Sequence, residues 1–132
     1  MTSVVHVVAG ALYDAHGRVL IAQRPAGKPL AGRWEFPGGK LHHGEDPYAG
    51  LVRELREELA VEVRAATRLL RYPVDYPDRT VWLDMWIVGD WAGTVTSLDN
   101  QALKWVQPAC LVDEDILEAD RPIVEALIER SP

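Results

Sequence analysis

Cysteine and long apolar runs are scarce in this chain, and both features bear on the compartment in which the protein works. It has a single cysteine, Cys110, so no intramolecular disulfide can form, and we expect a buried apolar thiol rather than a nucleophile. No stretch approaches the ~18 apolar residues of a membrane span. The first residues, MTSVVHVV, also lack a basic region followed by a long apolar run. We therefore expect a cytoplasmic protein with no membrane partner.

Basic residues are in deficit as well. The chain has 14 Lys and Arg against 20 Asp and Glu, a net charge of −6. A nucleic-acid polymer is bound mainly through basic residues that neutralise its phosphates, and no basic stripe is available here. A free nucleotide remains compatible with this charge, because a divalent metal can neutralise its phosphates locally.

The overall composition is that of an ordinary globular protein. Apolar residues make up 48% of the chain and charged residues 26%, which is enough for a packed core with a solvated surface. No internal repeat or low-complexity linker divides the sequence. At 132 residues, we expect one domain over 1–132, present as a monomer or a weak dimer.

Apolar patterning predicts an α/β fold. Runs rich in β-branched and alternating apolar residues predict strands over 4–13, 18–23, 33–36, 69–72, 80–91 and 103–106. The turn at 14–17 predicts that the first two strands form a hairpin. Two helices are predicted, one that begins after Asp46 with Pro47 in its first turn and one over 122–129. The pattern indicates a mixed sheet with two main helices.

The most informative segment is 38–61, GGKLHHGEDPYAGLVRELREELAV. Glu54, Glu57 and Glu58 are spaced at i, i+3 and i+4, so they share one face of a helix, and Glu45 can reach the same place. Like charges on one face are destabilising, and a cation is the simplest remedy. Hard oxygen ligands suit Mg²⁺ or Mn²⁺. The opposite side carries a core-facing apolar stripe: Leu51, Val52, Leu55 and Leu59.

The order of these residues resembles the Nudix box of the Nudix hydrolases. Gly39 is followed after five residues by Glu45, and after seven more by Arg53 and Glu54, with Glu57 and Glu58 closing the motif. The one departure is at Ala60, where the family usually has the glycine that ends the helix. Alanine there would cost roughly 1 kcal/mol in the left-handed conformation.

The resemblance extends over nearly the whole chain and is closest to the MutT-like type. It is carried by AQRP at 22–25, WEFPGGK at 34–40, YPDR at 76–79, DNQALKWV at 99–106 and ADRPIV at 119–124. It implies an α/β/α sandwich with a central mixed sheet. It also implies a pyrophosphohydrolase that sends water to the β-phosphorus of a nucleoside triphosphate and releases a monophosphate and pyrophosphate.

The resemblance also implies roles for individual residues of the box. Glu54, Glu57 and Glu58 would ligate Mg²⁺, with Mn²⁺ as a substitute, and the carbonyl of Gly39 would add an oxygen. Arg53 would hold the glutamates in place. We expect Lys40 to meet phosphate oxygens or to be a solvated surface lysine.

The general base has two candidates. In MutT-like proteins an acidic residue in the loop before the last sheet strand approaches the metal, and Asp99 has that position here. The family commonly has the longer Glu. Glu54 is the competing base.

Base recognition is assigned by position within the resemblance. Phe36 and Tyr76 are candidate walls, Arg24 and Arg79 candidate nucleotide contacts, and Asp120 the candidate reader of the base edge. MutT itself has Asn at this place, and MutT-like CTP pyrophosphohydrolases have Ala-Asp. An ionised carboxylate only accepts hydrogen bonds, which suits N1–H and the 2-amino group of guanine or 8-oxoguanine, or the amine of cytosine. The alternative is that Asp120 caps the last helix.

Three functions follow, in order of preference. The first is Mg²⁺-dependent hydrolysis of 8-oxo-dGTP or a related oxidised nucleotide, which cleans the nucleotide pool. The second keeps the chemistry but takes CTP, dCTP or their 5-modified forms. The third is a catalytically silent nucleotide-binding domain, which the intact set of box glutamates disfavours.

Overall fold

The computed structural model describes residues 3–130. Seven strands and two α-helices follow in the order β1 Ser3–Leu12, β2 Val19–Gln23, β3 Trp34–Glu35, β4 Gly38–Lys40, α1 Pro47–Leu59, β5 Glu62–Tyr76, β6 Arg79–Ala92, β7 Leu103–Val106 and α2 Arg121–Arg130. Two short 3₁₀ helices, Pro108–Asp113 and Glu118–Asp120, lie between β7 and α2.

The strands form two sheets. The larger has the order β4-β1-β6-β5, in which β1 and β6 run parallel and the other pairs are antiparallel. This confirms the predicted central mixed sheet. The smaller sheet, β3-β2-β7, is antiparallel throughout, and the sequence pattern did not separate it from the first.

The predicted hairpin between the first two strands is wrong. The turn itself is present, with the Asp14 N–H donating to the Arg18 carbonyl over 3.0 Å. However, β1 and β2 meet only at one bridge, between Tyr13 and Val19, and then enter different sheets. The last five residues of β1 are all buried. A strand buried in this way takes an interior position between two others, here β4 and β6.

The strand predicted over 69–72 is only the middle of the much longer β5. Irregularities in pairing with β6 fall between Val63 and Ala65, Ala65 and Ala66, and Arg68 and Leu70. Each irregularity shifts the side-chain alternation by one position, so the strand has no continuous period of two. This is why the sequence pattern showed only its central part.

Two hydrophobic cores cover the two faces of the larger sheet. On one face, Leu51, Leu55 and Leu59 of α1 pack with Val8, Leu12 and Val88. On the other, Ile123, Val124 and Leu127 of α2 belong to a cluster with Ala9, Ala11 and Met85. Helices therefore lie on both sides, as in the expected α/β/α sandwich.

Helix α1 begins and ends as its sequence predicts. The Asp46 side chain accepts a hydrogen bond from the Ala49 N–H over 3.0 Å, and Pro47 occupies the first turn. At the other end Ala60 is left-handed, with φ 59° and ψ 31°, and its N–H donates to the Arg56 carbonyl. An alanine thus occupies the conformation that glycine adopts more freely.

Cys110 is exposed, so the expectation of a buried thiol is wrong. It lies in the 3₁₀ helix Pro108–Asp113, which turns Pro108 and Leu111 inward instead. Among residues 3–130, no helix is long and apolar enough to cross a membrane.

Candidate active site

An acidic cavity of about 430 Å³ lies where β3, β4, α1 and the segment before β7 meet. Four carboxylates line it: Glu35, Glu54, Glu58 and Asp99. The structure therefore brings together three residues that the sequence singled out. Glu35 was missed, although its place in the WEFPGGK segment, just before the Gly-Gly turn, was the available signal.

Arg53 is the common partner of the box carboxylates. Its Nε and Nη2 donate to the two oxygens of Glu45, over 2.8 and 2.9 Å. Its Nη1 lies 3.0 Å from both Glu54 Oε1 and Glu57 Oε2, and Nη2 also donates to the Lys40 carbonyl. The hydrogen bonds from Arg53 to Glu45, together with one from the His42 N–H, lower the pKa of Glu45 to about 2. Arg53 thus contacts three box carboxylates at once, which is the arrangement that its predicted role requires.

Glu58 has a different environment, because no cation contacts it among the described residues. Its Oε2 accepts a hydrogen bond from the Gly38 N–H over 3.0 Å, and its Oε1 accepts one from Gln101 Nε2 over 2.7 Å. Burial raises its pKa to about 7, and the carboxylates of Glu35 and Asp99 add to this shift. The four carboxylates that line the cavity therefore outnumber the cationic side chains that line it with them.

The residues of this cavity fit a hard divalent cation. Within residues 3–130, no three side chains of His, Cys, Asp or Glu converge as they stand to hold a metal ion, since Arg53 engages Glu54 and Glu57. The carboxylates that line the cavity are nevertheless hard oxygen donors, and Glu58 has no cation beside it among the described residues. Gly39 packs directly against Glu54, where an added Cβ would lie only 2.6 Å from the carboxylate carbon.

Asp120 lies next to this cavity, buried to 7% exposure. Its Oδ2 accepts a hydrogen bond from the Phe36 N–H over 3.3 Å, so the bond comes from β3's end rather than from helix α2. Burial raises its pKa to about 7; Glu35 adds to the shift and Arg24 opposes it. Asp120 is therefore electrostatically coupled to two residues of the acidic cavity.

Arg24 is the one remaining predicted nucleotide contact that lines the acidic cavity among the described residues. The cavity lining does not include Phe36, Lys40, Tyr76 or Arg79. Arg24 Nη1 lies 3.0 Å from Glu35 Oε2, and its Nε donates to the Pro29 carbonyl. The Phe36 ring belongs to the core at 4% exposure. Lys40 is exposed, pairs with Val7 in the sheet, and lines a separate groove.

Tyr76 and Arg79 lie at the turn between β5 and β6. The Arg79 guanidinium lies over the Tyr76 ring, 4.9 Å from its centroid. Burial raises the pKa of Tyr72, and Asp120 and Tyr76 contribute to this shift, so both lie near that hydroxyl. Tyr72 itself donates to the carbonyl of Ala119, 2.6 Å away. Tyr76 and Asp120 therefore lie on the same side of the site, next to Tyr72.

Sequence reasoning missed two further residues of the cavity, Lys28 and Gln101. Lys28 comes from the exposed loop between β2 and β3. Gln101 is in the DNQALKWV segment, two residues after Asp99. In each case only the folded chain shows that the side chain reaches the cavity.

Comparison with known proteins identifies the family. The NUDIX domain model matches residues 4–127. The chain is 38% identical over 121 residues, 92% of its length and 90% of the relative's, to a CTP pyrophosphohydrolase of Escherichia coli. It is 43% identical over 91 residues, 69% of its length and 81% of the relative's, to an 8-oxo-dGTP diphosphatase of Proteus vulgaris.

A solved structure from a study of MutT of Aliivibrio salmonicida and Vibrio cholerae superposes with a TM-score of 0.86. The match covers 98% of this chain and 100% of that one, at 30% identity. The matched family model spans the whole acidic cavity together with Asp120. The chain belongs to the Nudix hydrolases, enzymes that act on nucleotide substrates with a divalent metal.

Proposed function

We propose that this protein is a cytoplasmic, Mg²⁺-dependent nucleoside triphosphate pyrophosphohydrolase whose substrate is 8-oxo-dGTP or a related oxidised nucleotide. The observation that carries the proposal is the juxtaposition of the acidic cavity with buried Asp120. The Arg24–Glu35 ion pair lies in the cavity and is also coupled to Asp120. A phosphate-handling end and a base-reading end therefore adjoin each other, as a nucleotide requires.

The chemical step depends on charge neutralisation and on positioning. Glu54, Glu57, Glu58 and the carbonyl of Gly39 would hold Mg²⁺, which when bound neutralises phosphate oxygens and favours attack by water. Arg53 orients Glu54 and Glu57 through its Nη1 hydrogen bonds. Arg24 extends a guanidinium into the cavity, where it can meet phosphate oxygens.

Two carboxylates can take the proton from the attacking water, Glu54 and Asp99, since both line the cavity. Glu54 is held by Arg53, whereas Asp99 lies on the segment before β7 and is exposed. The amide variants E54Q and D99N separate these roles. If Asp99 is the base, D99N should lose turnover while its affinity for Mn²⁺ stays within about threefold of the wild type, a difference of less than 1 kcal/mol. If D99N keeps its turnover, Glu54 is the base, and E54Q should lose turnover even at saturating Mn²⁺.

Asp120 has features that suit a reader of the base edge. One of its oxygens is committed to the Phe36 N–H, and the other is left to accept from a donor on the base. Guanine and 8-oxoguanine offer N1–H and the 2-amino group as adjacent donors. The relationship to 8-oxo-dGTP diphosphatases supports the oxidised purine as the preferred base.

Hydrolysis of CTP, dCTP or their 5-modified forms is the second candidate. It is favoured by the acidic residue at position 120, which can accept from the exocyclic amine of cytosine. The similarity to a CTP pyrophosphohydrolase over 92% of the chain supports it as well.

The test is a panel of canonical and oxidised nucleoside triphosphates compared by kcat/KM with Mg²⁺. We expect 8-oxo-dGTP to give the highest value, and ¹⁸O from solvent water to appear in pyrophosphate and not in the monophosphate. A label in the monophosphate alone would move the attack to the α-phosphorus. Release of orthophosphate and a nucleoside diphosphate would contradict the assignment as a pyrophosphohydrolase.

Variants of Asp120 distinguish the two bases. D120A should lower kcat/KM for the preferred base by about 10- to 100-fold, because it leaves a base donor unpaired. D120N restores the amide found in MutT, so it should retain or improve action on 8-oxo-dGTP and weaken hydrolysis of CTP. Equal loss for every substrate would show that Asp120 acts on stability and that the base is read elsewhere.

A further inference from the structure

The segment between β6 and β7 has no regular secondary structure, yet hydrogen bonds fix it to the end of helix α1. The Thr96 N–H donates to the Leu59 carbonyl over 3.0 Å, and the Leu98 N–H donates to the Glu58 carbonyl over 3.1 Å. Carbonyls in the last turn of a helix have no partner within it. The segment supplies those partners, and it is thereby held beside Glu58.

Gln101, at the end of this segment, is also fixed through its backbone. Its own carbonyl accepts a hydrogen bond from Ser97 Oγ over 2.6 Å. The carbonyl of the next residue, Ala102, accepts one from the Gln23 N–H in β2 over 2.9 Å. A side chain on an immobilised backbone loses less entropy when it makes a directed contact.

The Gln101 side chain uses that position to hold Glu58. Its Nε2 donates to Glu58 Oε1 over 2.7 Å, while the Gly38 N–H donates to Oε2 over 3.0 Å. The two donors come from different parts of the chain, and each binds one carboxylate oxygen. Rotation of the carboxylate would break both bonds, so Glu58 is held in one orientation.

The neutrality of these donors distinguishes Glu58 from the other box glutamates. Glu54 and Glu57 share the positive Arg53, which satisfies part of their charge. An amide fixes an ionised carboxylate without neutralising it. Glu58 therefore has no cationic partner among the described residues, and it faces a cavity that also contains Glu35 and Asp99.

We propose that Gln101 is a positioning residue that orients Glu58 for binding of the divalent cation. This rests on the proposed function, in which Glu58 is a metal ligand. Partners that orient metal ligands typically change metal affinity 10- to 100-fold when they are removed.

The test compares Q101M with the wild type. Methionine keeps the length and shape of glutamine and removes the donor. Binding of Mn²⁺ in the absence of nucleotide is measured by electron paramagnetic resonance. We expect the Kd for Mn²⁺ to rise at least about 10-fold in Q101M. Since nucleotide contacts are untouched, kcat at limiting Mn²⁺ should fall with little change in KM for the nucleotide, and excess Mn²⁺ should restore most of it.

Q107M is the matched control, because Gln107 is exposed and its amide reaches only the His16 carbonyl, 3.4 Å away. Its Kd for Mn²⁺ should equal that of the wild type. If Q101M does not fold, Q101N takes its place; it keeps the amide on a side chain one methylene shorter and should weaken binding in the same direction.

A folded Q101M or Q101N that binds Mn²⁺ as tightly as the wild type would overturn the proposal, and so would a loss of melting temperature without a change in Mn²⁺ affinity. The outcome is separable from that of the proposed function. If the wild type hydrolyses no nucleoside triphosphate but Q101M still weakens Mn²⁺ binding, the enzymatic proposal fails and the role of Gln101 stands.

Discussion

The two ends of the site are built differently. At the glutamate end, Arg53 makes its side-chain contacts with Glu45, Glu54 and Glu57, all within eight residues of it in the sequence. At the base-reading end, Asp120 contacts Phe36, 84 residues away, and Tyr72 contacts Ala119, 47 residues away. The ion pairs around Arg53 are thus encoded locally, whereas the hydrogen bonds that hold Glu58 and Asp120 join segments distant in the sequence.

The charge environment differs from one carboxylate of the site to another, and burial raises the pKa of Glu58 at the glutamate end as it raises that of Asp120. Glu45 lies against a guanidinium, and its pKa falls to about 2. Asp120 is buried with one backbone N–H as its hydrogen-bond donor, and its pKa rises to about 7. Opposite shifts in two carboxylates of one protein show that the surroundings, and not the residue type, decide the charge state. Substitution of a carboxylate that is paired with a cation and substitution of a buried one are therefore expected to have different effects.

The largest expected effect is at the glutamate end. E58Q should lower kcat by more than about 10³-fold, because a charge that binds the metal is lost. The fold should survive, since glutamine retains an oxygen that can accept from Gly38 or Gln101. The measurement is turnover at saturating Mg²⁺, with E125Q, at an exposed position of α2, as the control. Near wild-type turnover of folded E58Q would contradict the metal-binding role.

The next largest effect is expected where the β4 backbone packs directly against the Glu54 carboxylate. G39A should lower kcat by about 10²-fold, because the added methyl group overlaps the Glu54 carboxylate and displaces it. G89A is the matched control: a Cβ there has nothing within 4 Å. If G39A and G89A have equal kcat values, Glu54 does not need its observed position.

A smaller effect should appear at the base-reading end as a pH dependence of stability. The pKa of Asp120 rises from 3.8 to about 7 on folding, so folding favours the protonated form. Its contribution to stability is then fully present below about pH 4 and is lost as pH rises through about 7. The free energy of unfolding of the wild type should fall relative to that of D120N between about pH 4 and about pH 7. Outside this window, the plots of unfolding free energy against pH should be parallel for the two proteins.

Denaturant unfolding of both proteins between pH 3.5 and 8.5, at about half-unit steps, measures this difference. D113N, which alters an exposed aspartate, should give a curve parallel to the wild type throughout. A constant difference between D120N and wild type would mean that Asp120 has the same pKa in the folded and unfolded chains.

What could be predicted from the sequence follows the same division. The helix start at Asp46, the shared face of the glutamates and the strand Leu103–Val106 depend on neighbouring residues, and each was predicted as observed. The separation of β1 from β2 and the arrival of Glu35 and Gln101 at the cavity depend on pairing between distant segments. No local period encodes such contacts, so only the folded chain reveals them.

The smallest effect concerns Ala60, where the box departs from its family. The residue is left-handed, and an alanine Cβ in that conformation costs roughly 1 kcal/mol relative to glycine. A60G should therefore raise the free energy of unfolding by up to about 1 kcal/mol, part of the gain being offset by the greater freedom of glycine in the unfolded chain. The control is A126G within helix α2, where the same replacement should lower stability by roughly 1 kcal/mol. Turnover of A60G should stay within about twofold of the wild type, because glycine adopts the same left-handed conformation and leaves the carbonyls at the end of α1 in place. A large loss of turnover in A60G would show that the end of α1 also positions Glu58, and that the glutamate end is less local than its contacts indicate.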